Sequence, residues 1–264
     1  MENNKKLYFM HIPKTGGVTV MSNVYRHLNN NKISCYPPSP PPHDDDFNKY
    51  QYIQAHLGRY PILKTDNVSV ASLIRDPVDR AISNFGYIYN RVLENRQDYL
   101  NINYPLDKLK YYLFDDEFYF SHRNIQSQFI CSQPEKNMFK DMVERNEEEY
   151  QTRSKNWYLQ PIELNIETVK KYVDEFEIVN TTNHVKEFIY SIILWFNKNY
   201  SVPLMNEEHP IFLNNRNPVI INNESYTTED LKKLLSDEDI EKILDLNSID
   251  FELYEYVFEK ENNR

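Results

Sequence analysis

LYFMHIPKTGGVT, residues 7–19, reads as a strand, a turn and the first residues of a helix. Between Leu7 and Ile12 only His11 interrupts an apolar run, the pattern of a short buried strand. Pro13 has no N–H with which to extend a ladder, and Lys14, Thr15, Gly16 and Gly17 form a turn that opens into a helix beginning near Val18. Elements in this order aim several backbone N–H groups and the positive end of a helix dipole at one spot. Lys14 and the nearby hydroxyls reinforce that field, so the stretch is an anion cradle. The plainer alternative is a tight turn that binds nothing.

Glycine usage bears on that choice. The 264 residues include only four glycines: Gly16 and Gly17 in the turn, Gly58 beside His56, and Gly86 shortly after Ser83. A chain this poor in glycine keeps it where a side chain would obstruct the backbone, and all four adjoin candidate site segments.

Downstream of the turn, Val20, Val24 and Leu28 recur every four residues over 18–29, as in a helix packed on a sheet. Prolines then crowd residues 37–42 and preclude a helix or a central strand, so 36–46 is an extended loop. Asp44, Asp45 and Asp46 in it read as a solvated acidic run rather than a metal site. A second strand is expected over 50–55, delivering His56 to its exit. That is where α/β folds place reacting groups, although a hydrogen-bonded structural histidine fits the same position.

Val68 to Ile74 is the clearest buried strand. It leads into RDPVDRAISNFG, residues 75–86, where Asp76 can cap a helix whose first residue is Pro77. Val78, Ile82, Phe85, Tyr89 and Val92 form the packed stripe of that helix. Arg75 remains at the end of the strand, and Ser83 falls about two turns into the helix. Either the two hold a second phosphate, or Arg75 pairs with a carboxylate and Ser83 is incidental.

Helices are expected near 106–114 and 135–149. Residues 122–131, HRNIQSQFIC, have no clean period. A fourth strand is expected over 176–180. Asn183 can cap an apolar core helix carrying Val185, Phe188, Ile189, Ile192, Trp195 and Phe196. After a loop-like passage over 207–218, two or three helices finish the chain. Thr227 or Thr228 caps the first, Ser236 with Asp239 makes a capping box for the second, and Ser248 starts a third that docks through Leu253, Tyr256 and Val257.

Composition bounds the function. Hydrophobic residues make up 40% and aromatic residues 14%, which is globular, and no apolar run reaches the roughly 20 residues of a membrane span. One domain over residues 1–264 is expected. The start, MENNKK, lacks the apolar core of a signal peptide, which implies a cytoplasmic or otherwise soluble intracellular protein. Cys35 and Cys131 have no metal-site spacing and read as ordinary thiols. The net charge of −10 argues against a nucleic-acid surface. Residues 1–130 hold 15 Lys and Arg against 13 Asp and Glu, whereas residues 131–264 hold 15 against 27, so an anion site belongs in the first half.

Taken together, HIPKTGG (11–17), QAHLG (54–58) and IRDPVDRAIS (74–83) resemble the sulfotransferase superfamily that uses 3′-phosphoadenosine 5′-phosphosulfate, PAPS. The likeness is closest to its carbohydrate-type members, the hexuronyl or heparan sulfate 2-O-sulfotransferase group. Further likeness in residues 124–131, 176–182 and 250–256 extends it over most of the chain. The resemblance implies an α/β fold with a P-loop-like central parallel sheet flanked by helices, and a helical C-terminal portion. It implies that Lys14, Thr15, Gly16, Gly17, Val18 and Thr19 wrap the 5′-phosphosulfate, while Arg75 and Ser83 hold the 3′-phosphate. His56 is then the general base and Lys14 the cation facing the leaving oxygen.

No metal is expected, since sulfuryl transfer from a phosphosulfate needs less charge neutralisation than phosphoryl transfer. A nucleotide kinase would place its glycines before the lysine, whereas Lys14 precedes Gly16 and Gly17. Val18 stands where the family commonly has a small hydroxyl residue, a contact that Thr19 can supply. The acidic chain points to a neutral or weakly charged hydroxyl acceptor, a glycan or small molecule, with the proline-rich loop shaping its site. The alternative is a nucleotide- or glycan-binding module that kept the cradle and lost turnover. The two readings separate at His56.

Overall fold

Four parallel strands carry the fold, in the spatial order β2, β1, β3, β4. The computed structural model describes residues 5–36, 49–56, 58, 67–91, 93–115, 123–132, 163–205 and 218–263. The proline-rich loop with Asp44–Asp46, the helix expected over 135–149, most of the 207–218 passage, Val92 and His122 lie outside them.

Strand β1, Lys6–Met10, stands between β2, Tyr52–Ala55, and β3, Val68–Ile74; β4, Ile178–Thr181, pairs with the far side of β3. The apolar run at 7–12 therefore does become a central strand, buried on both faces. Alternation decides which side chain goes where. Tyr8 and Met10 pack with Ile53, Val70, Ile74 and Val179 on one face. Leu7 and Phe9 pack with Tyr52, Ala71, Leu73 and Ile178 on the other.

Helices cover both faces. The second face receives α1, Gly17–Asn30, through Val20, Val24 and Leu28. Helix α2, Pro77–Arg91, follows β3 directly, with the Asp76 carboxylate accepting the Asp79 N–H at 2.8 Å as its cap. After a 3₁₀ turn, Leu93–Asn95, and a single helical turn, Gln97–Leu100, come α3, Pro105–Phe114, and the seven-residue α4, Ile125–Cys131. The residues of α4 are apolar and polar by turns because Ile125, Phe129 and Ile130 enter the first face while Gln126 and Ser127 make buried hydrogen bonds. Helix α5, Ile166–Asp174, joins α4 on that face, and α6, Val185–Tyr200, covers the opposite one.

A 3₁₀ turn, Thr182–His184, separates β4 from α6, so Asn183 does not cap that helix; its side-chain amide donates to the Tyr254 hydroxyl instead.

The sequence pattern also hid a hairpin. Strands β5, Val219–Ile221, and β6, Glu224–Tyr226, pair antiparallel across Asn222 and Asn223, both at positive φ. Three helices follow: α7, Thr228–Lys233, α8, Asp237–Leu246, and α9, Ser248–Asn262. Thr227 with Asp230 and Ser236 with Asp239 form the capping boxes of the first two. Helices α2, α3, α7 and α8 and the hairpin share a third apolar cluster. Gly86 belongs to this cluster rather than to a site, since a Cβ there would lie 2.5 Å from Val219 Cγ2. Helix α9 returns to the sheet through Leu253 and Val257, and Tyr256 reaches the Asp174 carboxylate at 2.6 Å.

Candidate functional site

All four parallel strands discharge their chains at one edge, the carboxyl edge at which open α/β sheets bind ligands. From β1 comes the turn 11–17, from β2 His56, from β3 Arg75, and from β4 the 182–184 turn. The sheet thus gathers segments that are far apart in sequence.

The turn has the shape expected of a cradle. Lys14 and Gly16 both adopt positive φ, 72° and 86°. Gly16 caps α1, so no capping side chain covers the first-turn N–H groups of this 14-residue helix. An added Cβ at Gly16 would meet nothing closer than 3.8 Å, so glycine serves the backbone conformation there. At Gly17 the reason is contact, since a Cβ would lie 1.8 Å from His11 Nε2.

The side chains of the turn divide between inside and outside. The Thr15 hydroxyl is buried and donates to the Ile12 carbonyl at 2.8 Å, bracing the loop from within. Val18 is 49% exposed, and the Lys14 ammonium lies 4.6 Å from the centre of the Tyr87 ring on α2. Thr19 is nearly buried, and its carbonyl accepts from Asn23.

Arg75 meets the turn directly, its guanidinium donating to the Lys14 carbonyl at 3.1 Å. Its backbone is clamped in turn, because the Gln126 side-chain amide accepts from the Arg75 N–H and donates to the Arg75 carbonyl, both at 2.8 Å. Ser83 is 5% exposed on α2. It and Arg75 are the two ends of the segment that β3 and α2 hold in place.

His56 stands on the other side of the turn. Its Nδ1 lies 2.5 Å from the His11 carbonyl. A carbonyl only accepts, so Nδ1 carries the proton and Nε2 keeps its lone pair. Protein atoms crowd the ring although one edge remains exposed, and this packing holds its pKa below the usual 6.5, against the opposing pull of the carbonyl bond. The His11 ring sits 4.3 Å from the His56 ring. Burial, then His56, then Lys14 hold the His11 pKa well below 6.5.

Gly58, at φ 51°, leaves room for Ser132, whose Oγ would be 1.9 Å from a Cβ. The His56 imidazole, with Nδ1 engaged by the His11 carbonyl, thus adjoins the turn that leads into the uncapped start of α1.

Three residues that the sequence reading gave no role brace these segments: His11 through its ring, Gln126, and Glu261 at the end of α9. The Glu261 carboxylate accepts the Thr181 N–H at 2.6 Å, the Thr181 hydroxyl at 2.9 Å and His184 Nδ1 at 3.0 Å, pinning α9 to the exit of β4. Among the described residues no group of His, Cys, Asp or Glu is placed to hold a metal ion, and no helix is long and apolar enough to cross a membrane.

Gly17→Ala is expected to drive the His11 ring out of position, at about the 1–3 kcal/mol typical of overpacking. Denaturant unfolding of the purified variant measures it; a midpoint equal to wild type would show that the ring yields freely.

A family model described as Sulfotransferase family matches residues 1–257. No curated protein matches the chain.

Proposed function

The chain belongs to the sulfotransferase family, and from that premise we propose that it moves a sulfuryl group from PAPS to a hydroxyl of a glycan or small molecule, with His56 as general base. The observation that carries this reading is the His56 Nδ1 bond to the His11 carbonyl, which leaves Nε2 as a proton acceptor beside the anion turn.

The residues fit the donor's two charged ends. The turn's positive-φ Lys14 and Gly16, with the uncapped start of α1, suit a 5′-phosphosulfate. Arg75, fixed by Gln126, and Ser83 would take the 3′-phosphate. Bound there, PAPS supplies an activated sulfuryl group whose bond to a phosphate oxygen is the one that breaks.

His56 Nε2 takes the proton of the acceptor hydroxyl as that oxygen forms its bond to sulfur. Lys14 offsets the charge building on the departing phosphate oxygen. The N–H groups of residues 16–19 keep the reacting atoms in line. The motifs at 11–17, 54–58 and 74–83 favour the carbohydrate type among the subgroups. The net charge of −10 favours a neutral or weakly charged acceptor over a polysulfated one.

Calorimetry with 3′-phosphoadenosine 5′-phosphate, PAP, tests the donor site. Lys14→Ala and Arg75→Ala are each expected to weaken binding by about 1.5–3 kcal/mol, the worth of a charge-assisted hydrogen bond. Unchanged affinity in both would remove them from the site. PAP binding without transfer to any acceptor, in an assay with labelled PAPS, would mark a binding module instead.

A further inference from the structure

We propose that His11 is a positioning residue for His56, a neutral imidazole wedge that sets the spacing between the base and the anion turn. The inference rests on the reading of His56 as general base.

His11 touches both the base and the turn. Its N–H donates to the Ala55 carbonyl at 3.1 Å, and its own carbonyl accepts from His56, so the main chain ties β1 to β2 at the base. Its ring packs on the His56 ring at 4.3 Å and 34°, and on Phe9 at 5.6 Å and 22°. The edge of the ring fills the place of a Gly17 Cβ, where its Nε2, Cδ2 and Cε1 would lie 1.8–2.1 Å away.

Gln54 closes the arrangement, its amide nitrogen lying 3.5 Å from His11 Nδ1 and donating to the Gly17 carbonyl at 2.8 Å. One imidazole thus stands between the group that takes the proton and the glycine that opens α1. A wedge in that place governs the distance between the proton acceptor and the N–H groups of the turn, and an error of about 1 Å in such a distance can cost about 100-fold in rate.

The same packing shields one face of His56 from water. Among the described residues, the Gln54 amide from β2, the Phe9 ring from β1 and the Phe129 ring from α4 lie against the two rings, the Lys14 ammonium of the turn acts on His11 through its charge, and the Tyr8 phenol is bonded to the Ala55 carbonyl one residue before the base. His11 resists protonation because burial, His56 and Lys14 all oppose it. His56 must be neutral to act, and its lowered pKa places the loss of activity on acidification below pH 6.5.

His11→Ala and His11→Phe test the wedge through kcat, KM, the pH profile of kcat/KM, and PAP calorimetry. His11→Ala is expected to lower kcat about 10- to 100-fold with PAP affinity within about threefold, and to move the acidic limb up toward 6.5 as water reaches the base. His11→Phe keeps a ring against His56 and Phe9, and is expected to return the limb and most of kcat. A purely structural role would lower thermal stability without moving the limb.

An unmoved limb and kcat in His11→Ala would overturn the proposal, as would a His11→Phe protein of wild-type stability with the limb of the alanine variant. Should His11→Ala not fold, an NMR titration of His56 in wild type and His11→Asn carries the same test, the expected result being a higher His56 pKa in the variant and an equal one overturning it. Wild-type sulfation by His56→Ala would remove the base itself; loss of turnover there, with His11→Ala unaffected, would remove only the role of His11.

Discussion

His56→Ala is expected to lower the rate of sulfation by about 10²–10⁴-fold, the usual contribution of a positioned general base, while PAP binds with nearly wild-type affinity. The two effects are expected to separate because the proposed base and the proposed phosphate ligands are different residues. His56 contacts the turn through the His11 carbonyl and the His11 ring, whereas the groups assigned to the phosphates are Arg75, Ser83 and the turn itself. The side chain keeps an exposed edge, so removing it should shift stability by far less than a core truncation would. A rate measured with labelled PAPS, beside a calorimetric PAP titration of the same preparation, decides the matter. Sulfation at the wild-type rate would mean another group takes the proton, and parallel loss of PAP binding would mean that His56 belongs to the donor site.

How far the sequence led depends on the range of each interaction. Local patterns translated directly: β3 runs over Val68–Ile74 as its apolar run predicts, Asp76 caps α2, and the capping boxes at Thr227 and Ser236 form. The parallel sheet flanked by helices is as the family resemblance implied, and the strands and helices do alternate along the first part of the chain. The β5–β6 hairpin went unread: its strands are only three residues each, too short to show alternation, and Asn222 and Asn223 at positive φ form its two-residue turn.

What no local pattern carries is contact across the chain. The two hydrogen bonds between the Gln126 side-chain amide and the Arg75 backbone join residues 51 apart, and nothing in RNIQSQ marks Gln126 as the clamp of an arginine. The His11 ring is of the same kind. Its residue type is visible beside the turn, but its contacts with His56 and Gly17 arise only when β1 and β2 pair in register. Gly86 was misassigned for the converse reason: its neighbour in sequence is Ser83, while its neighbour in space is Val219.

Asp250→Ala should cost about 3–5 kcal/mol of stability, the range for removing one buried charge and leaving the opposite one uncompensated. Asp250 is fully buried near the start of α9, and its carboxylate accepts the Gln126 N–H at 3.0 Å, the Ser127 N–H at 2.8 Å and the Ser127 hydroxyl at 2.7 Å. It thereby satisfies the opening N–H groups of α4, the helix that supplies the Arg75 clamp. Arg80, also fully buried, is the opposite charge: burial raises the Asp250 pKa, and the guanidinium is the largest influence drawing it back down. Alanine would leave the Arg80 charge without that carboxylate and the two N–H groups without their acceptor. Equilibrium unfolding in urea gives the loss, and a cost below about 1 kcal/mol would mean that the network contributes little. A paired replacement, Arg80→Met with Asp250→Leu, separates the two causes. Apolar substitution of a whole buried pair is often near neutral, so any cost that persists there belongs to the uncapped N–H groups of Gln126 and Ser127. That remaining cost should appear as weaker PAP binding as well, because the same N–H groups position the Gln126 amide against Arg75.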